Sequence, residues 1–140
     1  MEAGTRGLLP SDLRDDLYRT CRKRLPYESC GAMIGSRSGG AVKVTGFLLV
    51  RNIAPDPRVS FRFDPDGWLA ACARMQKNQR DIVGVWHSHP SGPALPSVRD
   101  AEGWDGHGTY WIVGLEAGRA ELRAFVREGA AWLPLPIDFI

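Results

Sequence analysis

Two histidines two residues apart, His87 and His89, close an apolar run, and Pro90 follows them. Residues i and i+2 of a strand point to one face, so both imidazoles can address one metal ion. Pro90 ends the strand at that point. A catalytic zinc takes three protein ligands and keeps a fourth position open. A third ligand is therefore expected nearby, and Asp100 is the candidate. Ser97-x-x-Asp100 also has the form of a loose capping box, with Asp in place of the usual Glu. The two roles are compatible. First-turn side chains of a helix project toward the preceding loop, and if that loop starts at the metal, Asp100 can reach back to it. Hydrolytic chemistry also needs a carboxylate that takes a proton from water, whose pKa the ion lowers toward about 7, and passes it on. Glu28, between Pro26 and Cys30-Gly31 at the head of an apolar run, has little packing value there and is the candidate. Alone, it would read as an exposed turn residue.

Taken together, Glu28, His87-Ser88-His89-Pro90 and Ser97-x-x-Asp100, with seven residues between His89 and Ser97, resemble the JAMM (MPN-plus) metalloprotease family. That signature is Glu, then His-Ser/Thr-His, seven residues, Ser, two residues, Asp, and every position matches. Pro26-x-Glu28-x-Cys30-Gly31 with Gly35, Phe61-x-Phe63-Asp64-Pro65 and Val83-Gly84-Val85-x-His87 extend the resemblance over nearly the whole chain. The resemblance implies one zinc ion (Zn2+) per chain, held by His87, His89 and Asp100. It implies Glu28 as general base and later proton donor to the leaving amine, and Ser97 as hydrogen-bond donor to the oxyanion. Ser88, on the opposite strand face, is expected to support structure.

The family cleaves amide bonds after the C-terminal glycine of ubiquitin-like proteins. Compact prokaryotic members resemble this chain, and the implied partner is a small sulfur-carrier protein with a Gly-Gly tail, from which cysteine would be released. The tail would lie extended in a narrow groove, since glycine alone allows so close a backbone approach. Other readings stay open: an isopeptidase on another ubiquitin-like tag, a RadC-like protein, or a non-catalytic MPN scaffold. His89-Pro90-Ser91-Gly92 and Pro96-Ser97 resemble the RadC group, whereas Glu28-x-Cys30-Gly31 favours the peptidase branch. Scaffold members lose metal ligands that are all present here. A zinc deaminase needs a Cys-x-x-Cys that the chain lacks.

These residues need a scaffold. Leu13, Leu17, Cys21 and Leu25 recur every fourth residue and predict a helix capped by Ser11 and ended by Pro26. Residues 30–34 and 42–50 predict a hairpin around a Ser- and Gly-rich turn at 36–40. Residues 51–58 read as a loop, and Phe61-Arg62-Phe63 as strand. Asp64-Pro65 opens a second helix to about residue 79, with Trp68 or Leu69, Cys72 and Met75 inward. Residues 82–86 are a β-branched run that predicts a central strand leading into the histidines. Residues 91–96 read as an ordered loop, and Ser97 starts a short helix limited by Gly103 and Gly106. Strands are expected at 110–115 and 119–126, joined by a turn at 116–118. An edge strand is expected at 131–137, where Pro134 and Pro136 suit an edge. The fold class is α/β: a layered domain, 1–140, with a mixed, largely antiparallel sheet flanked by helices. The resemblance implies a JAB/MPN, cytidine-deaminase-like form of it.

The 140 residues suit one domain, and the 44% hydrophobic content supplies a core. A net charge of +2 gives no footprint for nucleic acid or a membrane surface. Arg19, Arg22, Lys23 and Arg24 read as a solvated helix face. No apolar run reaches membrane-spanning length, and residues 1–9 lack the apolar core of a secretory signal, so a cytoplasmic location is expected. Three cysteines without a Cys-x-x-Cys pair read as reduced, mostly packed thiols. Trp86, Trp104 and Trp111 are expected in the core, and His107 at the surface.

Overall fold

Alternating apolar strands dominate the chain, and pairing them is what builds the molecule. The computed structural model describes residues 6–103 and 108–140. Its elements run β1 (Arg6–Leu9), α1 (Ser11–Lys23), β2 (Cys30–Ser38), β3 (Ala41–Val50), α2 (Pro65–Lys77), β4 (Asp81–His89), α3 (Val98–Gly103), β5 (Thr109–Gly114), β6 (Glu121–Glu128), β7 (Ala131–Leu135) and β8 (Ile137–Phe139). All eight strands form one mixed sheet in the order β7-β6-β5-β4-β2-β3-β1-β8. Four of its seven pairings are antiparallel. The expected layered α/β class and central position of β4 both hold. Among the described residues no helix is long and apolar enough to cross a membrane.

The sheet curls until its ends meet. β7 and β8 stand at opposite ends of the strand order, yet only Pro136 separates them. At about 4.8 Å per strand, a flat sheet would hold these ends some 30 Å apart. Instead, residues 131–139 pair first with β6 and then with β1. The Gly7 N–H donates to the Pro136 carbonyl at 2.8 Å. The single edge strand expected at 131–137 is thus two strands divided at a proline that cannot donate to the ladder. β1 was not expected at all. It is four residues long, and its partners lie far along the chain.

The inner face of the curl holds the main core, which includes Trp86, Trp111, Met33 and Val44, with Leu17 and Cys21 of α1 packed into it. Both tryptophans are fully buried, as expected. α2 lies against β3 and β4. Its Gly67 sits near Val50, which the pairing register places on the same face as Cys30 and His87. A smaller cluster, containing Tyr110, Ile112, Phe125 and Ala94, fills the β5–β6 side of that second face.

Several boundaries move. Pro10, not Ser11, is the cap of α1 and makes no side-chain cap bond; the helix ends at Lys23, leaving Leu25 exposed. The turn expected at 36–40 shrinks to Gly39-Gly40, whose φ angles of 56° and 80° suit a two-residue hairpin loop. Phe63 makes only an isolated bridge to Asn52. α2 buries Ala71 and Met75, whereas Leu69 is exposed and Cys72 half-buried. Arg19, Arg22, Lys23 and Arg24 are exposed, as a solvated face requires.

Gly31 shows how tightly β2 is held. A Cβ there would collide with the Leu48 carbonyl and come within 2.8 Å of Trp86 Nε1, which itself donates to that carbonyl at 3.2 Å. Overpacking of this kind costs about 1–3 kcal/mol. Gly31→Ala is therefore expected to lower the denaturation midpoint by a corresponding amount, and an unchanged midpoint would contradict this packing.

Candidate metal centre

The sequence-predicted residues meet because of strand register. Cys30 of β2 pairs with His87 of β4. Continuing that antiparallel register by two residues sets Glu28 across from His89. β5 runs parallel to β4 on its other side and aligns Ile112 with His87. α3 then brings Asp100 back over the end of β4.

His87 Nε2 lies 2.9 Å from His89 Nε2 and 3.0 Å from Asp100 Oδ1. His89 Nε2 lies 3.4 Å from Asp100 Oδ2. A tetrahedral zinc with bonds of about 2.0–2.1 Å sets its ligand atoms about 3.3 Å apart. The spacing and the two-nitrogen, one-carboxylate donor set thus fit a single small divalent cation, and all three residues group as a potential metal site.

His89 and Asp100 are oriented from behind by hydrogen bonds, as metal ligands require, whereas the His87 ring is held by packing and its Nδ1 has no hydrogen-bond partner among the described residues. Ring atom His89 Nδ1 lies 2.8 Å from the Pro93 carbonyl, which fixes the proton on Nδ1 and leaves the Nε2 lone pair facing the centre. Gly114, aligned with His89, permits this, because a Cβ there would lie 2.5 Å from Ala94 N and 2.8 Å from the Pro93 carbonyl carbon. His87 is fully buried between Phe61, stacked at 4.5 Å, and Tyr110 at 5.1 Å. Burial pulls its pKa down, so the imidazole is held neutral, the form that binds metal. Burial also pulls His89 down, but its hydrogen bonds with Asp100 and the Pro93 carbonyl outweigh this and raise it.

Asp100 serves as both cap and candidate ligand. Ser97 N donates to its Oδ2 at 2.7 Å, and its own N donates to Ser97 Oγ at 3.2 Å. Tyr110 O–H donates to Oδ1 at 2.9 Å. Burial alone would raise the Asp100 carboxyl. Hydrogen bonds with His87, His89 and the Ser97 N–H reverse that and hold it well below the usual carboxylate range.

Glu28 shares a cavity of about 520 Å³ with Ser97, Asp100 and Tyr110, walled by residues of the segment 54–63. It is buried, and burial pushes its carboxyl up to about 7. Its N–H donates to the Pro57 carbonyl at 2.7 Å, and its carbonyl accepts from Asn52 Nδ2 at 3.0 Å.

Asn52 went unnoticed in the sequence. Its Nδ2 also donates to the Ser60 carbonyl, and its Oδ1 accepts from the N–H groups of Ala54 and Arg62, each at 3.0 Å. One amide thus holds the cavity wall in shape and ties it to Glu28. A loop asparagine carries no periodic signal, so only the structure reveals this. The same is true of Pro93 and Tyr110. Trp104 and His107 lie outside the described residues. Asn52→Asp keeps the acceptor but loses both donors, and hydrogen bonds of this kind are worth about 1 kcal/mol each. Its denaturation midpoint should fall by an amount equivalent to about 1–3 kcal/mol, and retention of the midpoint would show the wall to be held otherwise.

Comparison with known proteins identifies the family. Residues 10–133 match the family of prokaryotic homologs of the JAB domain. The chain is 32% identical over 105 residues to the desampylase of Haloferax volcanii, covering 71% of this chain and 74% of that protein. It is 30% identical to a probable TtuB-protein conjugate cleaving protease of Thermus thermophilus, covering 81% and 74%. The desampylase of Pyrococcus furiosus is 29% identical, covering 84% and 89%. A solution structure from Desulfitobacterium hafniense superposes with a TM-score of 0.86 at 28% identity, over 96% of this chain and 92% of that one. With the match spanning most of the sequence, the chain belongs to the prokaryotic homologs of the JAB domain, the compact branch of the JAMM hydrolases.

Proposed function

We propose that the chain is a zinc metallopeptidase that hydrolyses the amide bond after the C-terminal glycine of a ubiquitin-like protein. The observation that carries this is the convergence of His87 Nε2, His89 Nε2 and the Asp100 carboxylate beside a cavity that also holds a buried, protonatable Glu28. His87, His89 and Asp100 hold the ion. When bound, zinc supplies a Lewis acid that lowers the pKa of water to about 7 and polarises the scissile carbonyl.

The remaining steps belong to side chains. Glu28 takes the proton from the attacking water and delivers it to the leaving amine. A carboxyl poised near 7 can do both at neutral pH, whereas an ordinary one is a poor acid there. Ser97 uses its N–H and its oxygen lone pair in the cap with Asp100. Its hydroxyl proton is left for the cavity, where it donates to the developing oxyanion. The Gly-Gly tail would lie extended along the cavity wall formed by the segment 54–63, since glycine allows the closest backbone approach.

The relatives' names support a ubiquitin-like substrate. Cleavage of protein conjugates and release of cysteine from a sulfur carrier use the same machinery and differ only in the leaving amine. Incubation with both adducts, read by mass spectrometry, separates them. Cleavage of neither would overturn the proposal.

Elemental analysis should find about one zinc per chain, and chelation should abolish cleavage until zinc is restored. Activity that survives complete metal removal would contradict the assignment. Glu28→Gln should keep its zinc yet lose about 10²–10⁴-fold in kcat, the usual contribution of general acid–base catalysis. Wild-type turnover by this variant would remove Glu28 from the role.

Stability of the chelated protein should carry the signs of both carboxyls. Glu28 is raised from 4.5 to about 7, so the stability it contributes is full below about pH 4.5 and is lost as pH climbs through 7. Asp100 is depressed below 3.8, so its contribution is present above that value and disappears only as pH falls further. Without metal, wild type should thus weaken by up to about 3 kcal/mol between about pH 5 and 8. Glu28→Gln should flatten that decline in urea titrations, and an equal decline in both proteins would rule Glu28 out as its source.

A further inference from the structure

We infer that Ser88, the residue between the two histidines, is a positioning residue whose hydroxyl fixes Glu28 relative to the metal strand. This rests on the function proposed above for that site. Ser88 is fully buried and sits on the opposite face of β4 from His87 and His89. Its side chain is neither one of the candidate ligands nor part of the cavity lining.

The hydroxyl oxygen accepts a main-chain hydrogen bond. The regular β2–β4 ladder runs out at Cys30 and His87. The next pair is Ser29 and Ser88, and two residues paired in this way normally exchange two backbone hydrogen bonds. One is present, from Ser88 N to the Ser29 carbonyl at 2.9 Å. The other is diverted: Ser29 N donates to Ser88 Oγ at 2.8 Å. The hydroxyl therefore stands in for a main-chain carbonyl where β2 leaves the ladder. On this face of β4 the hydroxyl neighbours the Cys21 thiol of α1, whose pKa it lowers against the larger effect of burial.

The position of this bond in the chain gives it a catalytic consequence. Ser29 directly follows Glu28, and Ser88 is flanked by both candidate ligands. Glu28's own backbone groups are bound to Pro57 and Asn52, both on the far side from β4. The Ser29–Ser88 pair is then the link that sets the carboxyl of Glu28 at a fixed offset from the imidazoles. Small misplacements of a reacting group can cost about 10²-fold in rate.

The test compares Ser88→Ala, which removes the acceptor, with Ser88→Thr, which keeps it. The first readout needs no substrate: amide hydrogen exchange of Ser29, followed by NMR. It should be slow in wild type, on the order of 10-fold faster in Ser88→Ala, and slow again in Ser88→Thr. In zinc-loaded protein, Ser88→Ala should lower kcat by roughly 10–100-fold, with KM and zinc content near wild type, and Ser88→Thr should recover most of the rate. Fast exchange of the Ser29 amide in wild type would overturn the inference, and needs no variant to fold. So would an Ser88→Ala enzyme with unchanged kcat, or one whose only defect is zinc loss. If wild type cleaves no carrier adduct, the proposed function fails, and the exchange measurement still decides the role of the hydroxyl.

Discussion

An ionised carboxylate removed from water costs several kcal/mol unless its oxygens are matched by donors or cations. Asp100 is 5% exposed, and much of the surrounding arrangement follows from that fact. Oδ1 takes a hydrogen bond from Tyr110 on β5 and faces His87 on β4; Oδ2 takes one from Ser97 and faces His89. The two strands and the entry to α3 are thus drawn to one point. A cation placed there completes the compensation, which couples the metal to the fold as well as to the chemistry.

Glu28 has the opposite solution. It is buried beside the same cavity, and among the described residues no hydrogen-bond donor meets its carboxyl, so burial pushes its pKa up to about 7. Two acids within one site are thereby set apart by their surroundings: one charged at neutral pH, the other able to exchange a proton there. Neither state is chosen by residue type alone.

The histidine pair was legible because strand periodicity is local: residues 87 and 89 share a face whatever lies elsewhere. The capping box was legible for the same reason, and its double use follows from where the preceding loop begins. Glu28 was found through its fixed relation to the other motif residues, since nothing local distinguishes it from a turn residue. Asn52, Pro93 and Gly114 were not legible. Each acts through backbone groups of segments that only the folded chain brings near. β1 escaped for a similar reason, since its register is written in β3 and β8 and not in its own four residues. The division of residues 131–139 at Pro136 follows from closure of the sheet, a global requirement that no window of sequence contains.

That closure also determines how the molecule bears load. β1 and β8 run parallel and are bonded side by side, with further bonds from Ile140 N to the Leu9 carbonyl and from Ser11 N to the Ile140 carbonyl. Arg6 and Asp138 add a two-pronged ion pair at 2.6 and 2.7 Å. A force drawing residue 6 and residue 140 apart acts along these strands and not across them. It must shear every bond of the seam at once instead of unzipping them in turn. Strand β4, which carries His87 and His89 three strands inward of β1, is shielded from tension until that seam gives way.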